Sequence, residues 1–269
     1  MVGRDATCRL PYADPPMTET WREKAGSLLL ELGARVLQGL EWFVVRSSLV
    51  PTSPYLAVEQ FPWARELEDN WKVIRRELDD VLRWREHLPN FQDISTDQES
   101  ITDDDRWKTY FFFGYGFRSD ANCAQCPETA RLLGGVPGMT TAFFSILSPR
   151  KRIPEHRGPY KGVIRYHLGL LVPEPRDACG IKVGGQVARW EEGRSLVFDD
   201  SYEHEAWNDT DGVRVVLFMD VIRPLRFPAS VLNGAVIKAI SVSPFVRDAK
   251  RRHLAWEQRF EAMRERGSR

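Results

Sequence analysis

The chain has 269 residues, which suits one large domain or a core domain with helical additions. Its 38 basic and 38 acidic residues leave no net charge, so no long-range field favours a nucleic acid partner. Four scattered cysteines (Cys8, Cys123, Cys126 and Cys179) are too few for a disulfide framework, which predicts a reducing, cytoplasmic location.

The N-terminal part predicts a helix rather than a leader or a membrane span. The opening MVGRDATCRLPYADPP has no apolar core, so we expect no secretory leader. Residues 18–47 have the three- and four-residue apolar spacing of a helix. Charges interrupt the apolar run over 25–50, and each would cost about 2.5–3.5 kcal/mol at a bilayer centre, so no transmembrane span is predicted. A helix packed on protein is favoured; peripheral contact with the inner membrane stays open.

Two further helices are predicted before the strand-rich region. Residues 62–87 carry one apolar stripe with charges opposite, and Pro62 suits a first helical turn. Residues 88–106 are acidic and rich in turn residues, which favours a solvated loop over a metal or partner site. An aromatic run, WKTYFFFGYGF, follows, and a short helix is expected near 127–134, ending at two glycines.

From about residue 139 the apolar period changes to two. Seven short runs separated by Pro, Gly, Asp and Asn turns predict strands: TTAFFSILS, GVIRYHLGLLV, GIKVGG, QVARW, SLVFDD, EHEAWN and VRVVLFMDVI. Strands at this density without intervening helices predict an antiparallel sandwich or barrel. A helical period returns over 228–241 and 246–266. We therefore divide the chain into a helical extension (1–60), a core domain (61–226) and a C-terminal helical extension (227–269).

Two predicted strands carry charges that a buried strand does not ordinarily hold. In GVIRYHLGLLV, Arg165 and His167 share one face while the other face is apolar. That polar face either lines a ligand cavity or meets water. In VRVVLFMDVI both faces are mostly apolar, so Arg214 at its start needs an anion. The anion would be either a bound carboxylate or an Asp or Glu of the chain.

Two histidines are placed near strand edges, about fifty residues apart: His156, expected in a loop, and His204, at the start of a strand. Neutral imidazoles at the mouth of a barrel suit Fe(II), Zn or Cu. A single histidine is more often an ordinary surface or core residue. The two histidines together with the two arginines make a metal site an even alternative.

The stretches PEHRGPYKGVIRYHLGLLVP, WEEGRSLVFDDSYEHEAWN and RVVLFMDV closely resemble the aspartyl/asparaginyl β-hydroxylase family of Fe(II)- and 2-oxoglutarate-dependent dioxygenases, over about residues 107–226. The resemblance implies a double-stranded β-helix, a cupin-like jelly roll with flanking helices. It implies an enzyme that uses Fe(II), 2-oxoglutarate and O2, with ascorbate as a supportive reductant.

Residue roles follow from the same resemblance. His156 and His204 correspond to the iron ligands. Arg214 and Ser145 correspond to contacts with the distal carboxylate of 2-oxoglutarate, and His167 to a contact with its other end. Arg165 corresponds to a contact with a substrate carboxylate.

The sequence departs from the wider dioxygenase pattern at Gly158, where most members supply a carboxylate ligand two residues after the first histidine. Animal aspartyl/asparaginyl hydroxylases share the two-histidine arrangement, so the glycine is a trait of the family, and water is expected in the missing position. Four nearby acidic residues are either second-shell groups that orient this water or an imidazole, or ordinary turn residues: Asp199, Asp200, Glu203 and Glu205.

The resemblance leaves the substrate open among small molecules, peptides and lipids. HRGP and FDDSYEHEAWN are similar to peptide hydroxylases, which favours the β-carbon of Asp or Asn, or a related small carboxylate. The order of elements around the core instead resembles bacterial hydroxylases of lipid A or ornithine-lipid acyl chains. A third hypothesis, from another class, is a cupin-like module that binds metal without turnover.

Overall fold

The computed structural model describes residues 39–95, 101–158 and 160–267. One compact unit begins at Glu41, and the fold is that of this unit. Residues 41–47 are helical (α1), as predicted for the end of the 18–47 segment. The remainder of that predicted helix, up to residue 38, lies outside the described residues.

Seven more helices follow: α2 Trp63–Asp69, α3 Trp71–Leu82, α4 Phe91–Ile94, α5 Asp120–Gln125, α6 Pro127–Gly134, α7 Ala229–Ser241 and α8 Pro244–Gly267. The single helix predicted over 62–87 is divided at Asn70. Its backbone leaves the helical conformation there, and its side-chain amide donates a hydrogen bond to the carbonyl oxygen of Glu66 at 2.8 Å. An asparagine side chain can replace backbone bonds in this way, which is why asparagine favours helix ends.

Eleven strands form the rest: β1 Tyr55–Leu56, β2 Trp107–Gly114, β3 Phe117–Arg118, β4 Met139–Leu147, β5 Lys151–His156, β6 Val163–Leu171, β7 Cys179–Val183, β8 Gln186–Ala188, β9 Ser195–Phe198, β10 His204–Asn208 and β11 Arg214–Ile222. A seven-stranded sheet has the order β1-β9-β6-β11-β4-β2-β3, and a four-stranded sheet has the order β5-β10-β7-β8.

The chain passes back and forth between the two sheets. From β4 to β11 it passes from the larger sheet to the smaller one and back, with β7 and β8 as a consecutive pair in the smaller sheet, and every paired strand is antiparallel. This winding is a double-stranded β-helix with flanking helices, and the predicted fold class is confirmed.

The two faces of the larger sheet pack against two different hydrophobic cores. On its outer face Leu217 and Met219 belong to one core with Ile74 and Leu78 of α3. On its inner face Phe218 belongs to a second core that includes side chains from the smaller sheet, such as Ile181. Strand β11 is therefore buried on both faces, as its sequence predicts. His167 of β6 contacts Phe198 and Phe218 of this second core.

Among the described residues, no helix alone has the length and apolarity to cross a bilayer; α7 and α8 taken together reach them, with a bend of 51° between them. Strand β1 pairs with β9, so sheet structure already includes residues before position 61. The proposed boundaries at 60 and 226 stay predictions.

Candidate active site

Strands β5 and β10 bring the two predicted metal-binding histidines together. His156 lies opposite His204 in the antiparallel register, and their ring centroids are 4.1 Å apart. Nδ1 of His156 lies 2.8 Å from the carbonyl oxygen of Pro154, and Nδ1 of His204 lies 2.9 Å from that of Tyr202. Because a carbonyl oxygen only accepts, each Nδ1 carries the proton and each Nε2 keeps its lone pair. Two adjacent imidazoles thus offer Nε2 to a cation, as metal-binding histidines do.

Both rings are held in the neutral form. Burial is the main cause that lowers the pKa of His156. Burial, together with the nearby Arg165 and His156, lowers the pKa of His204 to about 3. A metal binds only the deprotonated imidazole nitrogen, so these shifts keep the pair ready for a metal at neutral pH.

A carboxylate from elsewhere occupies the place of a side chain at Gly158. A Cβ atom added at Gly158 would lie 2.5 Å from Cγ and 2.9 Å from Oδ1 of Asp200. The Gly158 N–H also donates to the Asp200 backbone carbonyl at 2.8 Å. Within the described part of the chain, no third His, Cys, Asp or Glu joins the histidine pair as a metal-binding group. The two-histidine ligand set stays a prediction.

Arg165 lies between two buried aspartates. Its Nε is 2.9 Å from Oδ1 of Asp220, and its Nη2 is 2.9 Å from Oδ2 of Asp200, with the guanidinium 4.4 Å from the Phe218 ring centroid. Burial alone would lower the pKa of Arg165, but the two carboxylates outweigh it and raise the pKa. Burial raises the pKa of Asp200 to about 6 even though Arg165 opposes it. The polar face of β6 therefore meets carboxylates of the chain.

Arg214 has the opposite environment. It is 2% exposed, with its guanidinium 4.5 Å from the Trp190 ring centroid and Nη1 3.3 Å from the Ser145 carbonyl oxygen. Its Nε has no hydrogen-bond partner, and no carboxylate among the described residues pairs with it. Burial therefore lowers the pKa of Arg214 to about 10. The alternative of a structural salt bridge is not found in the described chain, and the site can accept an anion.

His167 and Ser145 present further unused donors to the same interior. The indole N–H of Trp190 donates to Nδ1 of His167 at 3.2 Å, so the ring proton must sit on Nε2, which has no partner among the described residues. Trp107 donates to the Ser145 hydroxyl oxygen at 3.1 Å, and the hydroxyl hydrogen stays available. Burial, with Arg214 and Arg165, lowers the pKa of His167 well below its usual value.

Trp107 and Trp190 were not predicted as site residues. Each fixes the hydrogen-bonding state of a predicted residue from a position at least 23 residues away in sequence. A tryptophan in a chain with nine of them carries no local signal for this role.

A family model described as aspartyl/asparaginyl beta-hydroxylase matches residues 68–224, more than half of the chain. The chain belongs to the aspartyl/asparaginyl β-hydroxylase family. Membership confirms the predicted family and makes the chain an enzyme of a hydroxylase family.

This member of the aspartyl/asparaginyl β-hydroxylase family is similar to several known proteins. An ornithine lipid ester-linked acyl 2-hydroxylase of Rhizobium tropici is 49% identical over 209 residues, which are 78% of this chain and 74% of the relative. Human aspartyl/asparaginyl beta-hydroxylase is 32% identical over 169 residues, but these are 61% of this chain and only 21% of the human protein. The crystal structure of a Pseudomonas putida prolyl-4-hydroxylase gives a TM-score of 0.38 at 17% identity, over 57% of this chain and 88% of that one.

Proposed function

We propose that the chain is an Fe(II)- and 2-oxoglutarate-dependent hydroxylase. The observation that carries the proposal is the buried Arg214 guanidinium, which has no carboxylate partner in the described chain. An uncompensated buried charge is strongly unfavourable unless a ligand supplies the counter-charge. A keto acid with two carboxylates fits, because Arg214 and Ser145 can bind one carboxylate while the Nε2–H of His167 donates to the other end.

The chain's own residues would bind, orient and exclude water. His156 and His204 would hold Fe(II) through Nε2, and Asp200 has an Oδ1 without a partner in the described chain, which can accept from a water molecule on the metal. Phe198 and Phe218 flank His167, with ring centroids 5.0 Å and 5.1 Å from it, and keep that end of the pocket apolar. Iron, 2-oxoglutarate and O2 would supply the oxidising power for an unactivated C–H bond.

For the substrate we propose the acyl chain of an amino-acid lipid of the ornithine lipid type. The 49% identical relative with that activity is covered over 74% of its length, whereas the human β-hydroxylase is covered over 21%. The cluster of Arg165, Asp200 and Asp220 supports the same choice. It carries one excess negative charge when both aspartates are ionised, so it does not attract a substrate carboxylate. Hydroxylation of Asp or Asn, which the HRGP and FDDSYEHEAWN motifs favour, is therefore our second candidate.

The test is aerobic incubation of the purified chain with Fe(II), 2-oxoglutarate and ascorbate, separately with ornithine lipid in detergent and with Asp- and Asn-containing peptides. We expect succinate and a lipid that has gained one oxygen atom on an acyl chain. Oxygen gain by a peptide alone would instead support the second candidate. If the unaltered chain forms no more succinate than the His156→Ala variant with any substrate, the result would support the non-catalytic metal-binding module.

A further inference from the structure

Six large apolar side chains are exposed on two segments that pack against each other. We call them the apolar face: Trp42, Val45, Leu49, Phe227, Val231 and Leu232. Trp42 is 64% exposed and Phe227 is 82% exposed. The two segments are joined by a small core of Val44, Leu225 and Ala229, and by a backbone hydrogen bond from Leu49 to Pro224 of 2.9 Å. A folded protein rarely leaves such groups exposed together without a partner.

The charged side chains of the second segment all have one sign. Residues 221–247 contain no Asp or Glu, and Arg226, Lys238 and Arg247 in that stretch are exposed. On α1 the guanidinium of Arg46 lies 5.8 Å from the ring centroid of Trp42. Tryptophan next to cationic side chains is typical of segments that lie at a membrane–water interface.

The apolar face also adjoins the candidate active site. Arg157, which directly follows His156, pairs with Glu41 of α1 at 2.8 Å. Tyr160 donates a hydrogen bond from its hydroxyl to Asn233 of α7 at 2.8 Å. The segment that leaves the first predicted metal-binding histidine therefore runs directly onto both elements that carry the apolar face.

We propose that the apolar face docks on the interfacial layer of an anionic lipid bilayer and so presents the active site to lipid. The lipid substrate rests on the proposed function, but docking can be measured without turnover. Negative headgroups complement the three exposed cations, and the apolar side chains enter the boundary of the acyl chains. A symmetric second copy fits less well, because a two-fold contact would bring the same cationic surface against itself.

Sedimentation of the full chain with vesicles tests the proposal, using phosphatidylcholine alone and phosphatidylcholine with phosphatidylglycerol. We expect binding to the anionic vesicles, and we expect the double variant Phe227→Ser, Val231→Ser to bind them roughly tenfold more weakly or worse, because it loses two inserted side chains. Val187→Ser is the matched control, since Val187 is 56% exposed on β8, outside this face, and it should bind like the unaltered chain. Lys238→Glu should weaken binding to anionic vesicles only.

Equal binding of the double variant and the unaltered chain, or no vesicle binding by the unaltered chain, would overturn the proposal. A concentration-dependent dimer without vesicles that the double variant abolishes would overturn it in favour of self-association. Circular dichroism and the unfolding midpoint establish that each variant folds. Turnover of substrate dispersed in detergent separates the two proposals, because the double variant should keep that turnover even though it has lost vesicle binding.

Discussion

Replacing Arg214 by methionine should make the ligand-free protein more stable while it removes the response to 2-oxoglutarate. The pKa of Arg214 is lowered from 12.5 to about 10 by burial. Because the folded-state value is the lower one, the charged side chain destabilises the fold at every pH below about 10. This lowering of the Arg214 pKa corresponds to about 3 kcal/mol of lost stability.

The expected gain is smaller than this value because Arg214 makes some favourable contacts. Its stacking on Trp190 and its hydrogen bond to the Ser145 carbonyl together contribute about 1–2 kcal/mol. Methionine fills much of the same volume and packs against the aromatic ring. The free energy of unfolding should therefore rise by about 1–2 kcal/mol, in line with other buried charges replaced by apolar groups.

Urea unfolding at neutral pH measures the change, with and without 2-oxoglutarate and manganese(II) as a redox-stable substitute for iron. At a hundredfold excess over the dissociation constant, the ligand should stabilise the unaltered chain by about 2.7 kcal/mol and the variant by almost nothing. Arg214→Lys keeps the charge and should show no gain without ligand. If Arg214→Met instead lost as much stability as Val216→Ala, on the order of 2 kcal/mol, then the chain itself would supply the missing anion.

Three further predictions concern the histidine pair and its surroundings. Gly158→Ala should cost about 1–3 kcal/mol of unfolding free energy because the added methyl group displaces Asp200, whereas Gly114→Ala, with open space around it, should be nearly neutral by the same urea measurement. His156→Ala should abolish detectable manganese binding in calorimetry and succinate formation, and a variant that still bound the metal with unchanged affinity would contradict the proposed ligand. The metal-free protein should lose about 2–3 kcal/mol from His204 as the pH falls from 6.5 to 4.5. Its folded-state pKa of about 3 lies below the usual 6.5, so the unfolded chain takes up the proton first; His204→Gln should remove that part of the pH dependence.

The alternating sequence from residue 139 onward was sufficient to predict seven of the eleven strands. The other four were missed: β1 and β3 are only two residues long, and the local sequences of β2 and β5 argue against a strand. Strand β2, WKTYFFFG, is aromatic and apolar on both faces, so it has no period of two. Strand β5, KRIPEH, contains Pro154 and charged residues, which argue against a strand. It lies at the edge of the smaller sheet, where a proline is tolerated.

The site was predictable to the extent that each residue lies in a recognisable motif. The partners of those residues were not, because pairing across strands depends on register. Asp220 is 55 residues from Arg165 in sequence and becomes its partner only because β6 and β11 align them. The place of Asp200 beside Gly158 depends in the same way on the fold that brings the β9–β10 turn against the end of β5.

The two buried arginines of the barrel differ in what the chain supplies to neutralise them. Arg165 and Arg214 are both largely buried, and each would be costly without an anion. The chain supplies two carboxylates to Arg165 and, within the described residues, none to Arg214. If both arginines served only stability, we would expect the chain to supply a carboxylate to each of them. The two neutral imidazoles offer lone pairs that a cation can use, and the uncompensated positive charge at Arg214 favours an anion. On the proposed function, a metal at the histidines and a dicarboxylate extending toward Arg214 would satisfy both ends at once.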